Sequence, residues 1–161
     1  MRPPERGRSG SVEAEPTTEG GPALRDAGAA AARAARDEAD AADARQRLAG
    51  ESLGVIEADD RVRSHLLPDE AVHAVRPTAI LLAAGDKRGL GYGGTLYLTS
   101  QRLLHIGQVV VAVNLIDIVE ASLAGERLLI AMHDAEGIGL DIDRPRRFRT
   151  ELAAAIRAAR A

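Results

Sequence analysis

The sequence predicts a mainly β domain of about seven antiparallel strands, followed by one C-terminal helix. Two observations carry this prediction. In residues 93–107, apolar side chains stand at every second position on both sides of Thr99-Ser100-Gln101, which is the pattern of a half-buried hairpin with one core face. After Asp143, the apolar spacing changes from the period of a strand to that of a helix.

The composition favours one folded domain with an appendage. The chain has 161 residues, of which 45% are hydrophobic and only 2% aromatic, so Val, Ile, Leu and Ala must build the core. The formal net charge of -3 does not supply the field that attracts a protein to nucleic acid or to an anionic membrane. Cysteine is absent, which excludes disulfides and thiolate metal sites.

The first part of the chain predicts a disordered tail and then a helix. Residues 1–22 are rich in Pro, Gly, Glu and Ser without periodicity, a composition typical of disorder. Residues 23–50 form an Ala-rich charged helix that ends at Gly50. Its apolar face is mostly alanine, so it is either a solvated, partly frayed helix or one that docks onto a partner or its own copy. No apolar run resembles a signal peptide or a membrane span, and we expect a cytoplasmic protein.

Residues 51–67 predict a short lead-in helix, because Leu53, Val62 and Leu66 have a loose amphipathic spacing. The β domain then occupies residues 68–161. Its first strand, residues 71–84, contains Pro77, which places that position at an edge or a bulge. A loop over residues 85–93 reverses the chain before the hairpin of residues 93–107.

The rest of the domain predicts four more strands and the closing helix. The strands are expected at residues 109–113, 116–123, 127–133 and 137–142. Asp143 is the expected N-cap of the helix, and Pro145 suits its first turn. Its core face is predicted to consist of Phe148, Leu152, Ile156 and Ala159.

Three segments together resemble a known family. The hairpin sequence GTLYLTSQRLLHIG resembles the GRAM and bacterial pleckstrin-homology-like pattern, a Gly-x-Leu-x-Leu-Thr segment that runs into Arg-Leu and an apolar strand. Residues 115–120 resemble the strand that follows in that family, and Pro145 with Phe148 resembles the start of its closing helix. The resemblance covers roughly residues 66–160.

This resemblance implies a half-open barrel that the C-terminal helix plugs at one end. It also implies a module that binds lipids, peptides or proteins and catalyses no reaction. The tryptophan usual in the closing helix of eukaryotic members is missing, which favours the GRAM or bacterial branch. In the first-strand loop, where phosphoinositide binders place several basic residues, this chain has only Lys87 and Arg88 beside Asp86.

One dense basic cluster stands at the start of the closing helix. It consists of Arg144, Arg146, Arg147 and Arg149. Cations there oppose the positive end of the helix dipole, so helix stability does not explain their placement. Two interpretations stay open: a basic patch for phosphate groups, or a solvated face that pairs with Asp141, Asp143 and Glu151.

The sequence gives little support for catalysis or metal binding. The string GxGxxG over residues 89–94 leads into a strand, whereas a phosphate-binding loop of this type needs a helix after it. The histidines lack metal-ligand spacing and are scattered singly at His65, His73, His105 and His133. The few aromatic residues argue against nucleic-acid binding. We therefore expect no enzyme activity, cofactor, metal or nucleic-acid partner.

Two functional hypotheses arise from these patterns. The first is protein–protein contact or self-association through an exposed sheet edge or a helix, because an unpaired edge offers hydrogen bonds to another strand. The alternative is peripheral binding to anionic lipid at the inner face of the membrane, through Lys87, Arg88 and the arginine cluster. Only the second requires binding that weakens steeply with ionic strength.

Overall fold

A computed structural model describes residues 22–83 and 91–161 of the chain. The helices in these ranges are α1 (Pro22–Leu48), α2 (Asp60–Arg63) and α3 (Pro145–Arg160). The strands are β1 (Val72–Ala83), β2 (Tyr92–Thr99), β3 (Arg102–Gly107), β4 (Val110–Asn114), β5 (Ile118–Ala124), β6 (Arg127–Met132) and β7 (Ile138–Ile142). One turn of 3-10 helix, Leu115–Asp117, connects β4 to β5. The predicted disordered tail except Pro22, which begins α1, and most of the predicted loop, with Lys87 and Arg88, lie outside the described residues.

The seven strands form one antiparallel sheet in the order β4-β3-β2-β1-β7-β6-β5. β4 and β5 end the sheet and are not bonded to each other, so the barrel is half open. The predicted hairpin is present as β2 and β3, joined across Ser100 and Gln101. These features and the C-terminal helix α3 confirm the predicted pleckstrin-homology-like fold class.

Pro77 lies in the central strand β1, where the pairing with β2 shifts register between Arg76 and Ala79. Proline has no N–H to donate to a neighbouring strand, so a central strand accommodates it at an irregularity of this kind. Beyond this point, β1 pairs with both β2 and β7. Of the two predicted positions for Pro77, the bulge is therefore confirmed.

The main core lies between the sheet and α3. Phe148 and Leu152 of α3 are both fully buried, and burying each side chain contributes roughly 1.5–3 kcal/mol. The sheet and the 3-10 turn contribute Leu96, Leu98, Leu103, Leu115, Ile118, Leu128, Ile130 and Leu140. The predicted closing helix and its core face are confirmed, with Ile156 and Ala159 at the margin of this core.

The sheet has a second, smaller core on its other face, which corrects the expectation of a single core face. Tyr97 and Leu104 point to that face and are each only 1% exposed. They pack with Val62, Val72 and Ile106. Residues 51–67 provide the cover, so β2 and β3 are apolar on both faces.

The predicted lead-in helix over residues 51–67 is reduced to the single turn α2. Ile56 instead forms a β-bridge with Val72. Asp59 caps α2 by accepting the Val62 N–H at 3.0 Å and the Tyr97 hydroxyl at 2.7 Å. The Tyr97 hydrogen bond lowers the pKa of Asp59, whereas burial and Asp59 together raise the pKa of Tyr97 to about 12. The packing of residues 51–67 on Tyr97 therefore replaces the longer helix that their loose amphipathic spacing predicted.

The Ala-rich helix α1 docks onto α3 of its own chain, which neither interpretation of its sequence anticipated. Its N-terminal half is exposed, and the buried residues of its C-terminal half are Asp37, Ala41, Ala44 and Leu48. The backbone N–H groups of Arg146 and Arg147 donate to the Asp37 carboxylate at 2.8 and 3.0 Å. Asp37 thus caps α3, and the predicted cap Asp143 is wrong, because Arg144 with φ 50° occupies the cap position.

Candidate interaction surface

The two strands that end the sheet present different edges to the surroundings. β5 lies against α3, whose apolar face covers this end of the sheet. β4 hydrogen-bonds to β3 on one side, and in the part of the chain that the structure describes no strand pairs with its other side. Because unpaired edge groups are the template for pairing with another chain, both β4 and β5 are candidate surfaces.

Two arginines of α3 donate hydrogen bonds to backbone carbonyls of β5. Arg149 Nε donates to the Ala121 carbonyl at 2.8 Å, and Arg160 Nη2 donates to the Ile118 carbonyl. These acceptors are the groups that another strand would need for pairing. β5 also carries the charge of Glu120. The β5 edge is therefore protected by its own chain.

The β4 edge lacks the charged residues and prolines that commonly protect an edge strand. No charged residue and no proline occur from Gly107 to Ile116. Val109 and Val110 are 47% and 45% exposed, and Ile116 at the other end of β4 is 57% exposed. Exposed large apolar side chains on an uncharged edge strand are typical of a strand that pairs with a partner.

Internal contacts hold β4 firmly in place. Val113 points inward and is buried in the main core, and Val111 is partly buried against the same core. The Leu115 N–H donates to the Gln101 carbonyl at 2.9 Å, which fixes the chain directly after the strand. β4 is therefore a preformed edge, and pairing with it requires little ordering of this chain.

A buried ion pair fixes the hairpin on which β4 is bonded. Arg102 of β3, which lies opposite Asn114 of β4, donates to Glu70 Oε1 and Oε2 at 3.0 and 2.6 Å. Burial alone would raise the pKa of Glu70, but hydrogen bonds from Arg102, the Leu67 N–H and the Thr99 hydroxyl outweigh it. The pKa of Glu70 is therefore lowered, and its carboxylate stays ionised at neutral pH.

The predicted arginine cluster does not form one patch. Arg144 lies 3.3 Å from Asp143, and Arg147 pairs with Glu151 at 3.0 Å. Arg146 pairs with Glu126 at 2.9 Å, and that hydrogen bond raises the pKa of Arg146.

Arg149 of the same cluster is directed to the β5 backbone. Of the partners that the sequence indicated, Asp143 and Glu151 pair with arginines of the cluster, whereas Asp141 pairs with Arg127. Arg146 has two partners that the sequence did not indicate, Glu126 and Asp37. Neither partner has a local signal, because the contacts join distant parts of the chain.

The histidines, all of which lie within the described ranges, supply no converging chemistry. Lys87 and Arg88 lie outside the described residues. His105 is buried, with Nε2 3.0 Å from the Ala79 carbonyl, and His73 Nδ1 lies 2.8 Å from the Gly54 carbonyl. Across residues 22–83 and 91–161, no group of three or more His, Asp or Glu residues is placed to hold a metal ion.

Arg76 and Glu151 form a structural ion pair between the sheet and α3. Both are buried, with Arg76 Nη2 3.4 Å from Glu151 Oε2 and its guanidinium 5.2 Å from the centre of the Phe148 ring. Burial lowers the pKa of Arg76 against the opposing effect of Glu151. This pair is enclosed by the core and offers no surface to a ligand.

Comparisons with known proteins place the chain in no sequence family. No family model matches it, and no curated protein matches it. The predicted affiliation with the GRAM or bacterial branch therefore stays a prediction. None of the helices in the described ranges is long and apolar enough to cross a lipid bilayer.

Two solved structures resemble the fold. The Vps36 N-terminal PH domain is 20% identical with a TM-score of 0.49, and the match covers 66% of this chain and 92% of that one. The C-terminal domain of an unknown protein from Leishmania infantum is 12% identical with a TM-score of 0.46, over 55% of this chain and 86% of that one. Neither similarity carries an argument about function, which must come from the geometry of this chain.

Proposed function

We propose that this chain is a non-enzymatic interaction module that self-associates by pairing β4 with β4 of a second copy. The observation that carries the proposal is the open, uncharged and apolar edge of β4, beside a β5 edge that α3 protects. Strand addition at such an edge gives affinity through main-chain hydrogen bonds and selectivity through alternate side chains.

A second copy is the occupant that fits this edge. Pairing β4 with itself in antiparallel fashion is two-fold symmetric, so each side chain meets its counterpart from the same short sequence. Like charges opposite one another would destabilise such a pair, and β4 brings none. A charged partner strand, in contrast, finds no complementary charge on β4.

The side-chain pattern suggests a register. Val110, Ala112 and Asn114 alternate with the inward Val111 and Val113. With Ala112 opposite its own copy, Val110 of one chain lies opposite Asn114 of the other. The small alanine at the centre fits opposite its own copy, and at both ends the exposed Val110 of one chain is partly covered by Asn114 of the other.

Analytical ultracentrifugation of the full chain, from micromolar to millimolar concentration, tests this proposal. We expect a reversible monomer–dimer equilibrium that Val110→Lys shifts strongly to monomer, because it adds a charge to each side of the new ladder. Val119→Lys is the matched control, since Val119 is a valine of similar exposure on β5. A monomeric wild-type chain at all concentrations, or equal effects of both variants, would refute the proposal.

Peripheral binding to anionic lipid is the second candidate. It rests on Lys87 and Arg88, together with the arginines of α3 that reach the surface. Flotation with anionic and neutral vesicles at low and physiological salt separates the two candidates, because only lipid binding weakens steeply with ionic strength. If Lys87→Glu with Arg88→Glu abolishes flotation and leaves the dimer intact, the chain binds membranes through this loop as well.

A further inference from the structure

A cleft of about 420 Å³ lies between α1 and α3, beside β5. Such a volume is typical of sites for small organic molecules. No residue of β4 lines the cleft. Its charged lining consists of Arg45, Arg146, Arg149 and Arg157, with Glu38 as the single carboxylate.

The charge of this cleft opposes that of the whole chain. Four guanidinium groups face one carboxylate in its lining, whereas the chain carries a formal net charge of -3. Glu38 pairs with Arg45 at 2.9 Å and lies 3.7 Å from Arg146, so those two arginines are already partly neutralised. The surplus of positive charge is therefore contributed by Arg149 and Arg157.

These two arginines keep donors available. Arg149 uses its Nε for the Ala121 carbonyl, and Arg157 makes no hydrogen bond or ion pair with any residue of the described ranges. They stand eight positions apart on α3 with Ala153 midway, so all three lie on one face of the helix. Two long guanidinium side chains on either side of a small residue can converge on one anionic group above it.

Apart from Thr150, the uncharged residues of the lining are apolar. Leu48, Leu123 and Ala153 line the cleft between the arginines. An inorganic ion would leave this apolar surface in contact with water, whereas a ligand with a hydrocarbon portion would cover it.

We propose that the cleft between α1 and α3 binds a small organic anion, a phosphate or carboxylate group that carries a short apolar portion. Arg149 and Arg157 bind the anionic group, and Leu48, Leu123 and Ala153 contact the apolar portion. An anionic lipid and a free soluble metabolite share this chemistry, and binding to vesicles distinguishes them.

Isothermal titration of the full chain with octyl phosphate, below its micellar concentration, tests the proposal, with inorganic phosphate as the second probe. We expect saturable binding of octyl phosphate that is tighter than that of inorganic phosphate. Arg157→Gln should weaken it about tenfold, the effect of losing one charge-assisted contact. Ala153→Leu should weaken it similarly by filling the cleft. Arg25→Gln, the same change on the exposed half of α1, should have no effect.

Flotation with phosphatidylglycerol vesicles identifies the source of the anion. Binding to these vesicles that Arg157→Gln and Ala153→Leu both abolish assigns the cleft to a lipid, and octyl phosphate binding without flotation assigns it to a soluble anion. Both altered residues are exposed, and a thermal melt of each variant verifies folding. The proposal is overturned if octyl phosphate does not saturate, if inorganic phosphate binds equally tightly, or if both variants bind as the wild type does.

Discussion

β4 and β5 end the same sheet, but the chain treats the two edges differently. β5 is covered by α3, and Arg149 and Arg160 occupy carbonyls of its backbone. No strand within residues 22–83 and 91–161 pairs with the outer side of β4, which exposes valines on a stretch without charge. The difference teaches that arginines of the closing helix protect the β5 edge, and that the β4 edge is the better candidate for pairing with a protein partner.

The largest effect is expected from a change in α3, the helix that covers the β5 edge. Leu152 of α3 is fully buried in the main core, so Leu152→Asp would place a carboxylate in apolar surroundings without a partner. We expect the variant to lose cooperative thermal unfolding. Ala158→Asp, an exposed change on the same helix, is the control and should melt cooperatively. A normal melting curve for Leu152→Asp would mean that α3 does not contribute to the core.

A smaller loss is expected when the start of α3 is uncapped. Asp37→Ala removes the carboxylate that accepts two backbone N–H groups of α3 and lies 3.6 Å from Arg146. We expect the free energy of unfolding to fall by about 2 kcal/mol, the upper range for loss of a helix cap. Urea unfolding measures it. The matched change Asp26→Ala, on the exposed half of α1, should cost little, and equal losses would show that Asp37 has no capping role.

The β4 edge is bonded to the β2–β3 hairpin, which the ion pair between Glu70 and Arg102 stabilises. The pKa of Glu70 is lower in the folded than in the unfolded chain, so its stabilisation is present above the usual value of 4.5 and disappears as pH falls through the folded-state pKa. Glu70→Gln should therefore lose about 1.5 kcal/mol at neutral pH, with a smaller difference from wild type in acid.

Urea unfolding across this pH range measures the effect, with Glu136→Gln in the exposed turn before β7 as the control. A difference between wild type and Glu70→Gln that stays constant with pH would contradict the role assigned to the Glu70 carboxylate.

The smallest change in stability, about 1 kcal/mol or less, is expected when the β5 carbonyls are released. Arg149→Ala with Arg160→Ala makes the two edges more alike, because water replaces the guanidinium groups. We expect assemblies larger than a dimer in analytical ultracentrifugation, since each chain then has two edges to pair. The same pair of changes on the exposed half of α1, Arg25→Ala with Arg33→Ala, should leave the dimer unchanged. Dimers alone in both variants would show that α3 itself blocks β5.

The sequence predicts the features that depend on local periodicity. Alternation around Ser100 specifies the hairpin, and the helical spacing of Phe148 and Leu152 specifies the closing helix. The second core could not be predicted in this way. Tyr97 and Leu104 lie on the sheet face opposite the main core, where the alternation predicts exposure to solvent, and the segment that covers them is distant in sequence.

The contacts at the candidate surfaces also join residues that are distant in sequence, so local patterns do not predict them. The cap from Asp37 and the hydrogen bond from Arg160 to β5 join residues that no spacing relates. The β4 edge had a usable signal, the stretch without charge before Asp117, but only the strand order shows that β4 ends the sheet.

Disulfide trapping at β4 tests the central claim most directly, because the chain has no cysteine of its own. In the proposed register, Ala112→Cys places two cysteines directly opposite each other with their Cβ atoms about 5 Å apart, close enough for a disulfide after small adjustment. We predict rapid formation of a covalent dimer under mild oxidation, while Val119→Cys on β5 stays monomeric. Slow cross-linking of Ala112→Cys, at the same rate as Val119→Cys, would contradict self-association through the open edge.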